Sequence, residues 1–228
     1  SIPRDYKVKL IGIDTDKFDN LNHAGMYGEE VTINTIENLL NIKIDYYARI
    51  SFKTLVNLVD EIGGIKVYSD KGFVPYHDKN VYIKKGDNTF DGKTALLFAR
   101  ERVTYGWEGD RHRTKNCRDV LTAIMKKFMS DKSLLIKYVD ILDSISPYVE
   151  TNIDISDITG LIRLQLDKNY SWNIKEFLVD GTDGKIYGYS FPDQSRYVMI
   201  PDEEKVNNAS NYINGIKEGK TFKDLGLE

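Results

Sequence analysis

The sequence predicts an α/β fold: one domain over residues 1–228, with helices flanking a central mixed sheet in an α-β-α layering. Strand, helix and strand patterns follow one another between Ile42 and Tyr68, the spacing of layered α/β units. Apolar residues recur at helical spacing along much of the remaining chain. The 228 residues are 41% hydrophobic, enough for one sizeable core, and no repeat, low-complexity stretch or linker divides them.

The elements follow in order. Ser1–Asp5 reads as the end of a strand, since Pro3 holds its neighbour extended. A helix is expected over 31–40 on Ile33, Ile36, Leu39 and Leu40, and His23 before it reads as a capping or packing residue. Residues 42–52 alternate as a strand. Phe52–Ile62 has Leu55, Leu58, Val59 and Ile62 on one helical face, closed by Gly63-Gly64, and 64–68 is the next strand. Residues 70–89 form a loop or hairpin, with Lys79, Lys84 and Lys85 free to meet a polyanion or solvent.

Asp91 caps a short apolar helix ending near Ala99. Gly106–Gly109 makes a loop, Asp110 caps again, and a long helix carries Val120, Leu121, Ile124, Met125 and Phe128 inward. Helical spacing returns at 133–146 and 156–168. Residues 172–179 read as a strand, 180–184 as a turn and 185–189 as a strand. Pro201 at a first helical position opens a helix over 202–215, and the tail from Gly219 is loose.

The chemistry concentrates in one place. Five of the nine arginines, Arg100, Arg102, Arg111, Arg113 and Arg118, fall within nineteen residues. Guanidinium groups offer paired N–H donors that match phosphate oxygens and stay charged when partly buried. Arg113 and Cys117 share a face near a helix N-terminus, which also favours an anion. The alternative is a set of ordinary ion pairs with Glu101, Glu108, Asp110 and Asp119.

The formal charge is −3 and the pI about 5.7, so the molecule as a whole is not built to be held on nucleic acid by charge. One cysteine excludes an internal disulfide framework, and no Cys/His spacing suits zinc. No apolar run reaches 18 residues.

Phe98-Ala-Arg-Glu-Arg102, then Gly109-Asp110 and Arg113 on a helix, together with Ser1-Ile-Pro-Arg-Asp5, resemble the two motif blocks of the LytR-CpsA-Psr proteins. Ile44-Asp-Tyr-Tyr47 and Leu58-Val-Asp-Glu-Ile-Gly-Gly-Ile65 are similar to that family too, and the likeness is close over about residues 1–128. The resemblance implies an extracellular phosphotransferase of Gram-positive bacteria. Such an enzyme moves a glycopolymer phosphate, of capsule or teichoic-acid type, from an undecaprenyl pyrophosphate carrier to peptidoglycan. A membrane anchor outside this chain would hold it at the cell wall, and the abrupt start at a motif is expected of a piece of a longer protein.

The resemblance also assigns roles. Arg4, Arg100, Arg102, Arg113 and Cys117 become substrate contacts, with the last three arginines stabilising transferred charge. Asp110 orients a neighbouring arginine or, less favoured, serves as base. Asp5 becomes a Mg²⁺ ligand, and helices 133–146 and 156–168 help wall a polyprenyl cavity. The chain departs from the pattern at Cys117, where glutamine is usual, and at Asn20 and Glu29, where a basic residue and a glycine are usual. The family's second metal-binding aspartate lies upstream of Ser1. A non-catalytic carrier of polyprenyl lipid or glycan therefore remains a second reading, and a transcriptional regulator a third.

Overall fold

The computed structural model describes residues 1–227 and, at Trp107 and Glu108, the backbone alone. In chain order the elements are β1 (Lys7–Lys9), β2 (Phe18–Asn20), a 3-10 segment (Leu21–Met26), α1 (Glu29–Leu40), β3 (Ala48–Ile50), α2 (Phe52–Glu61), β4 (Ile65–Ser69) and β5 (Gly86–Phe90). There follow α3 (Gly92–Arg100), a 3-10 segment (Val103–Glu108), α4 (Gly109–Ser130), α5 (Lys132–Ile136) and α6 (Tyr138–Ile145). The last are β6 (Val149–Thr151), α7 (Ile155–Lys168), β7 (Gly181–Ile186), β8 (Arg196–Pro201) and α8 (Glu203–Lys217).

The class is mixed α/β, as the sequence predicts. The residues sort into two compact units, residues 1–45 with those from 175 onward, and residues 46–174, where one domain with one core is expected. Each unit has its own apolar cluster.

The first unit gathers the two ends of the chain. The Ser1 ammonium donates to the Phe177 carbonyl, and Val179 N–H donates to Ser1 O at 2.9 Å. β1 pairs antiparallel with β2, and β7 antiparallel with β8. A single parallel bridge between Tyr6 and Met199 links the two ladders, with Met199 N–H on Asp5 O at 2.7 Å. Tyr6 is fully buried and its hydroxyl donates to Asp180 O at 3.0 Å. Burial pushes this phenol up to about 12. α1 packs Val31 and Leu40 here and ends at Asn41, which takes the left-handed conformation that Asn tolerates better than most residues.

Several expectations are corrected in this unit. Residues 1–5 lie outside the strands, and β1 begins after them. No strand covers 172–179, and the turn expected at 180–184 is instead most of β7. Gly181 and Gly184 have a packing role: a Cβ on Gly181 would stand 2.1 Å from Ile200 O, and one on Gly184 would stand 2.7 Å from the Ile200 side chain. Pro201 closes β8, and Asp202 caps α8 by accepting Lys205 N–H. Asp19, 1% exposed, accepts Asn20 N–H, Ser190 N–H and His23 Nδ1, so His23 has a structural partner.

In the second unit β4 and β5 form a hairpin ladder, and β3 pairs with β6. These are separate two-stranded ladders, so strands 48–50 and 65–69 do not join the central sheet expected of them. The core runs from Val59, Ile62 and Ile65 through Phe73, Phe90 and Phe98 to Val120, Ile124 and Ile141. Ser51 caps α2 in a reciprocal pair with Thr54, and Asp91 caps α3 by accepting Thr94 N–H at 2.7 Å. Gly92 lets α3 touch α2, because a Cβ there would lie 2.2 Å from Val56 O.

Candidate functional site

The site is built where α3 ends and α4 begins. Asn116, 2% exposed on α4, donates to Phe98 O at 3.0 Å, and the Cys117 thiol donates to Ala99 O at 3.3 Å. These two bonds reach carbonyls in the last turn of α3, where helix ends bond outside their own ladder, and they pin α3 against α4. The intervening turn is equally tight. Gly109 sits under Arg102, where a Cβ would be 2.3 Å from Arg102 O, and Gly106 takes φ +60.

Glu101, 1% exposed, is the buried peg of this corner. It accepts Thr104 N–H at 2.9 Å and Tyr76 N–H at 2.8 Å. Burial alone would push its carboxyl up, but these bonds outweigh burial and hold it below the usual carboxylate range.

This framework places a cavity of about 460 Å³, within the size range of small-molecule sites, roughly 300–1,000 Å³. α3 supplies Leu96, Ala99 and Arg100, and α4 supplies Arg113, Cys117, Val120 and Leu121. Ile50, Ser51, Phe52 and Leu55 close one side, and Arg102 and His77 complete the lining. The result is an apolar trough with three guanidinium groups. Arg113 Nη2 meets Asp110 Oδ1 at 2.8 Å, and Arg102 Nε lies 3.6 Å from the same oxygen. Arg100 lies over the Phe52 ring at 4.5 Å, a cation–π contact.

Arg100, Arg102, Arg113 and Cys117 thus share one cavity, and Asp110 joins two of the arginines. Asp110 lies inside the first turn of α4, not at the cap expected of it, because the helix begins at Gly109. Of the other acids considered as arginine partners, Glu101 serves backbone N–H groups and Asp119 takes Lys115 at 2.9 Å, while the Glu108 side chain lies outside the described residues. Cys117 is open to the cavity, yet its thiol sits deep in the wall. Desolvation outweighs Arg113 and Arg118 there and pushes it above the usual thiol range. α5 and α7 wall a different, apolar cavity of about 230 Å³ with Met125, Phe128, Met129 and Trp172.

Arg4 and Asp5 lie in the first unit. Arg4 Nε meets Asp5 Oδ1 at 3.3 Å, and Asn20 Nδ2 approaches the same oxygen at 3.4 Å while holding Tyr197 O at 3.0 Å. Among the described residues no group of three His, Cys, Asp or Glu side chains is placed to hold a metal. Two donors facing one carboxylate are not the oxygen shell that Mg²⁺ requires, so these residues do not by themselves fit the expected ion.

Asn116, Glu101 and His77 are site residues that sequence reasoning missed. Asn116 carries no local signal, since its partner lies 18 residues away, and Glu101's hold on Tyr76, 25 residues away, leaves none in the sequence.

No helix among the described residues is long and apolar enough to cross a membrane. The LytR_cpsA_psr family model matches residues 1–210. The chain is 34% identical over 190 residues to the polyisoprenyl-teichoic acid–peptidoglycan teichoic acid transferase TagV of Bacillus subtilis, covering 80% of this chain and 47% of that protein. It is 30% identical over 211 residues to the transferase of the same description, TagU, of Halalkalibacterium halodurans, covering 90% and 63%. The chain therefore spans about half to two thirds of the length of these relatives. The crystal structure of B. subtilis TagV superposes with a TM-score of 0.78 at 30% identity, covering 97% of this chain and 83% of that one. The family match over residues 1–210 and the relatives of 30% identity or more show that this protein belongs to the LytR-CpsA-Psr family.

Proposed function

We propose that the protein is a phosphotransferase that moves a glycopolymer phosphate from a polyprenyl pyrophosphate carrier to a peptidoglycan hydroxyl. The observation that carries this reading is the single cavity in which Arg100, Arg102 and Arg113 stand over an apolar wall. A prenyl chain fits such a wall, and a pyrophosphate fits three guanidinium groups. Relatives named as teichoic acid transferases support the same substrate class.

Phosphoryl transfer asks the protein mainly for position and charge compensation. Arg113, held by Asp110, and Arg102 offer N–H donors to the non-bridging oxygens. Arg100, with its face on Phe52, offers its edge. Leu55, Leu96, Val120 and Leu121 exclude water from the chain next to the leaving phosphate. Membrane attachment through a segment outside this chain, on the cell-wall side, completes the proposal.

Binding and turnover separate this from the carrier reading. Farnesyl pyrophosphate should bind with salt-sensitive affinity and lose it in Arg102→Ala and Arg113→Ala. A farnesyl-pyrophosphoryl sugar should then pass its sugar phosphate to a peptidoglycan oligosaccharide, read by mass spectrometry. Binding without transfer would favour the carrier, and unchanged affinity in both variants would return the arginines to surface ion pairing.

A further inference from the structure

A hydroxyl that attacks phosphorus must lose its proton, and the cavity offers few groups that can take one. The guanidinium groups stay charged. Cys117 spends its thiol on Ala99 O, and Ser51 is tied to Thr54 at its cap. Asp110 beside the cavity is already engaged, with one carboxylate oxygen 2.8 Å from Arg113 and 3.6 Å from Arg102. Among the described lining residues this leaves the imidazole of His77.

His77 is exposed but its loop is fixed. The preceding Tyr76 gives its N–H to buried Glu101, and its ring meets the imidazole edge-on at 5.3 Å. The following Asp78 closes a turn onto Pro75 O and pairs with Lys93 of α3 at 2.6 Å. Glu101, directly after α3, and Lys93, in its first turn, therefore anchor both flanks of His77 to the helix that carries Arg100. An imidazole held in this way presents a ring nitrogen to the cavity, and histidine is the side chain that most often serves as a general base.

We propose that His77 is the general base for the acceptor hydroxyl, an assignment that rests on the phosphotransferase reading. The acceptor oxygen forms a bond to the sugar-bearing phosphorus as the bridging P–O bond breaks. The electron pair of that bond leaves on polyprenyl phosphate. The hydroxyl proton passes to the free ring nitrogen of His77, and the imidazolium returns it to solvent before the next turnover. No oxidant or further reactant is needed. Glu101 acts as a positioning residue, since it holds the Tyr76 amide.

The charged and titratable groups that line the cavity with His77 are Arg100 from α3, Arg102 from the turn, and Arg113 and Cys117 from α4; in its own loop Tyr76 meets the imidazole edge-on, Lys79 lies over the Tyr76 ring at 5.0 Å, and Asp78 is held by Lys93.

The test compares wild type, His77→Gln and His77→Ala with farnesyl-pyrophosphoryl-N-acetylglucosamine as donor and a peptidoglycan oligosaccharide as acceptor. Farnesyl pyrophosphate affinity is measured alongside. General-base loss is expected to lower kcat by about 10²–10⁴-fold, with affinity and KM changed less than about threefold. The acid limb of the pH–rate profile should vanish in His77→Gln, and added imidazole should restore part of the rate in His77→Ala. A kcat in His77→Gln within about threefold of wild type, with its acid limb intact, overturns the assignment and leaves the phosphotransferase reading standing. Wild type that binds donor without transfer overturns the assignment and supports the carrier. Wild type that does not bind donor overturns both.

Discussion

Asp110 holds Arg113 at 2.8 Å, three residues apart in the first turn of α4, and the same oxygen lies 3.6 Å from Arg102. One carboxylate therefore orients two guanidinium groups. Arg113 is the better buried, with 20% side-chain exposure against 55% for Arg102, so its bonds to an anion compete less with water. Arg113→Ala is expected to cost farnesyl pyrophosphate about 1.5–3 kcal/mol, roughly 10–150-fold in Kd by calorimetry. Arg113→Lys should recover only part, since an ammonium lacks the paired fork. A loss below threefold in Arg113→Ala would remove it from the anion site.

The apolar wall makes a separate prediction. Leu121 lines the cavity from α4 and is 49% exposed, so its replacement costs the fold little. Leu121→Ser should weaken farnesyl pyrophosphate by about 1–2 kcal/mol, roughly 5–30-fold, and leave inorganic pyrophosphate unchanged. Equal loss for both ligands would contradict a prenyl wall.

Anion binding at the cavity should persist without metal. Its donors are arginines, and the Asp5 carboxylate already faces Arg4 and Asn20. Farnesyl pyrophosphate titrated in excess EDTA should keep its Kd within about threefold of the value in Mg²⁺, well under one hydrogen bond to a charged group. A much larger loss would place a metal in the binding step.

The helices were the legible part of this chain. Apolar spacing on Leu55, Leu58, Val59 and Ile62 locates α2, and Val120, Ile124 and Phe128 locate α4, because each helix turns a periodic face to its own unit's core. The arginine cluster was legible because its residues are close in sequence. β7 and β8 were not, since Gly181, Asp183 and Gly184 have the composition of a turn and become a strand only against Ile200. The first unit was hidden for a similar reason: Ser1 finds Phe177 and Tyr6 finds Met199, pairings without local trace. His77 lies in a polar loop, and long-range bonds of its neighbours, Tyr76 N–H to Glu101 and Asp78 to Lys93, connect that loop to the arginine-bearing helix.

Gly92→Ala tests how the site depends on the α2–α3 approach. The added methyl would meet Val56 O at 2.2 Å, and neither helix can yield without moving its core residues. A loss of about 1–3 kcal/mol or more is expected in denaturant unfolding. Because α3 carries Leu96, Ala99 and Arg100, ligand affinity should fall as well, even at temperatures where the variant is folded. A fully stable variant with unchanged binding would show that the contact is loose.

Glu101 links stability and the site through pH. Its folded carboxyl is held below the usual range, since the amides of Thr104 and Tyr76 favour the charged form more than burial disfavours it. A carboxyl depressed on folding binds fewer protons folded than unfolded. Its contribution is therefore complete above the unfolded value of about 4.3 and is lost as pH falls through the folded value. Glu101→Gln removes that titration and leaves an amide where a second N–H needs an acceptor, which costs about 1–3 kcal/mol at neutral pH. The variant should thus be less stable than wild type at pH 7, and the gap should narrow below about pH 4 as wild type loses its advantage. Denaturant unfolding of both proteins between pH 7 and 3 measures this directly. A gap that stays constant across that range would mean that the Glu101 charge contributes nothing, and that the Tyr76 and Thr104 loops are held by shape alone.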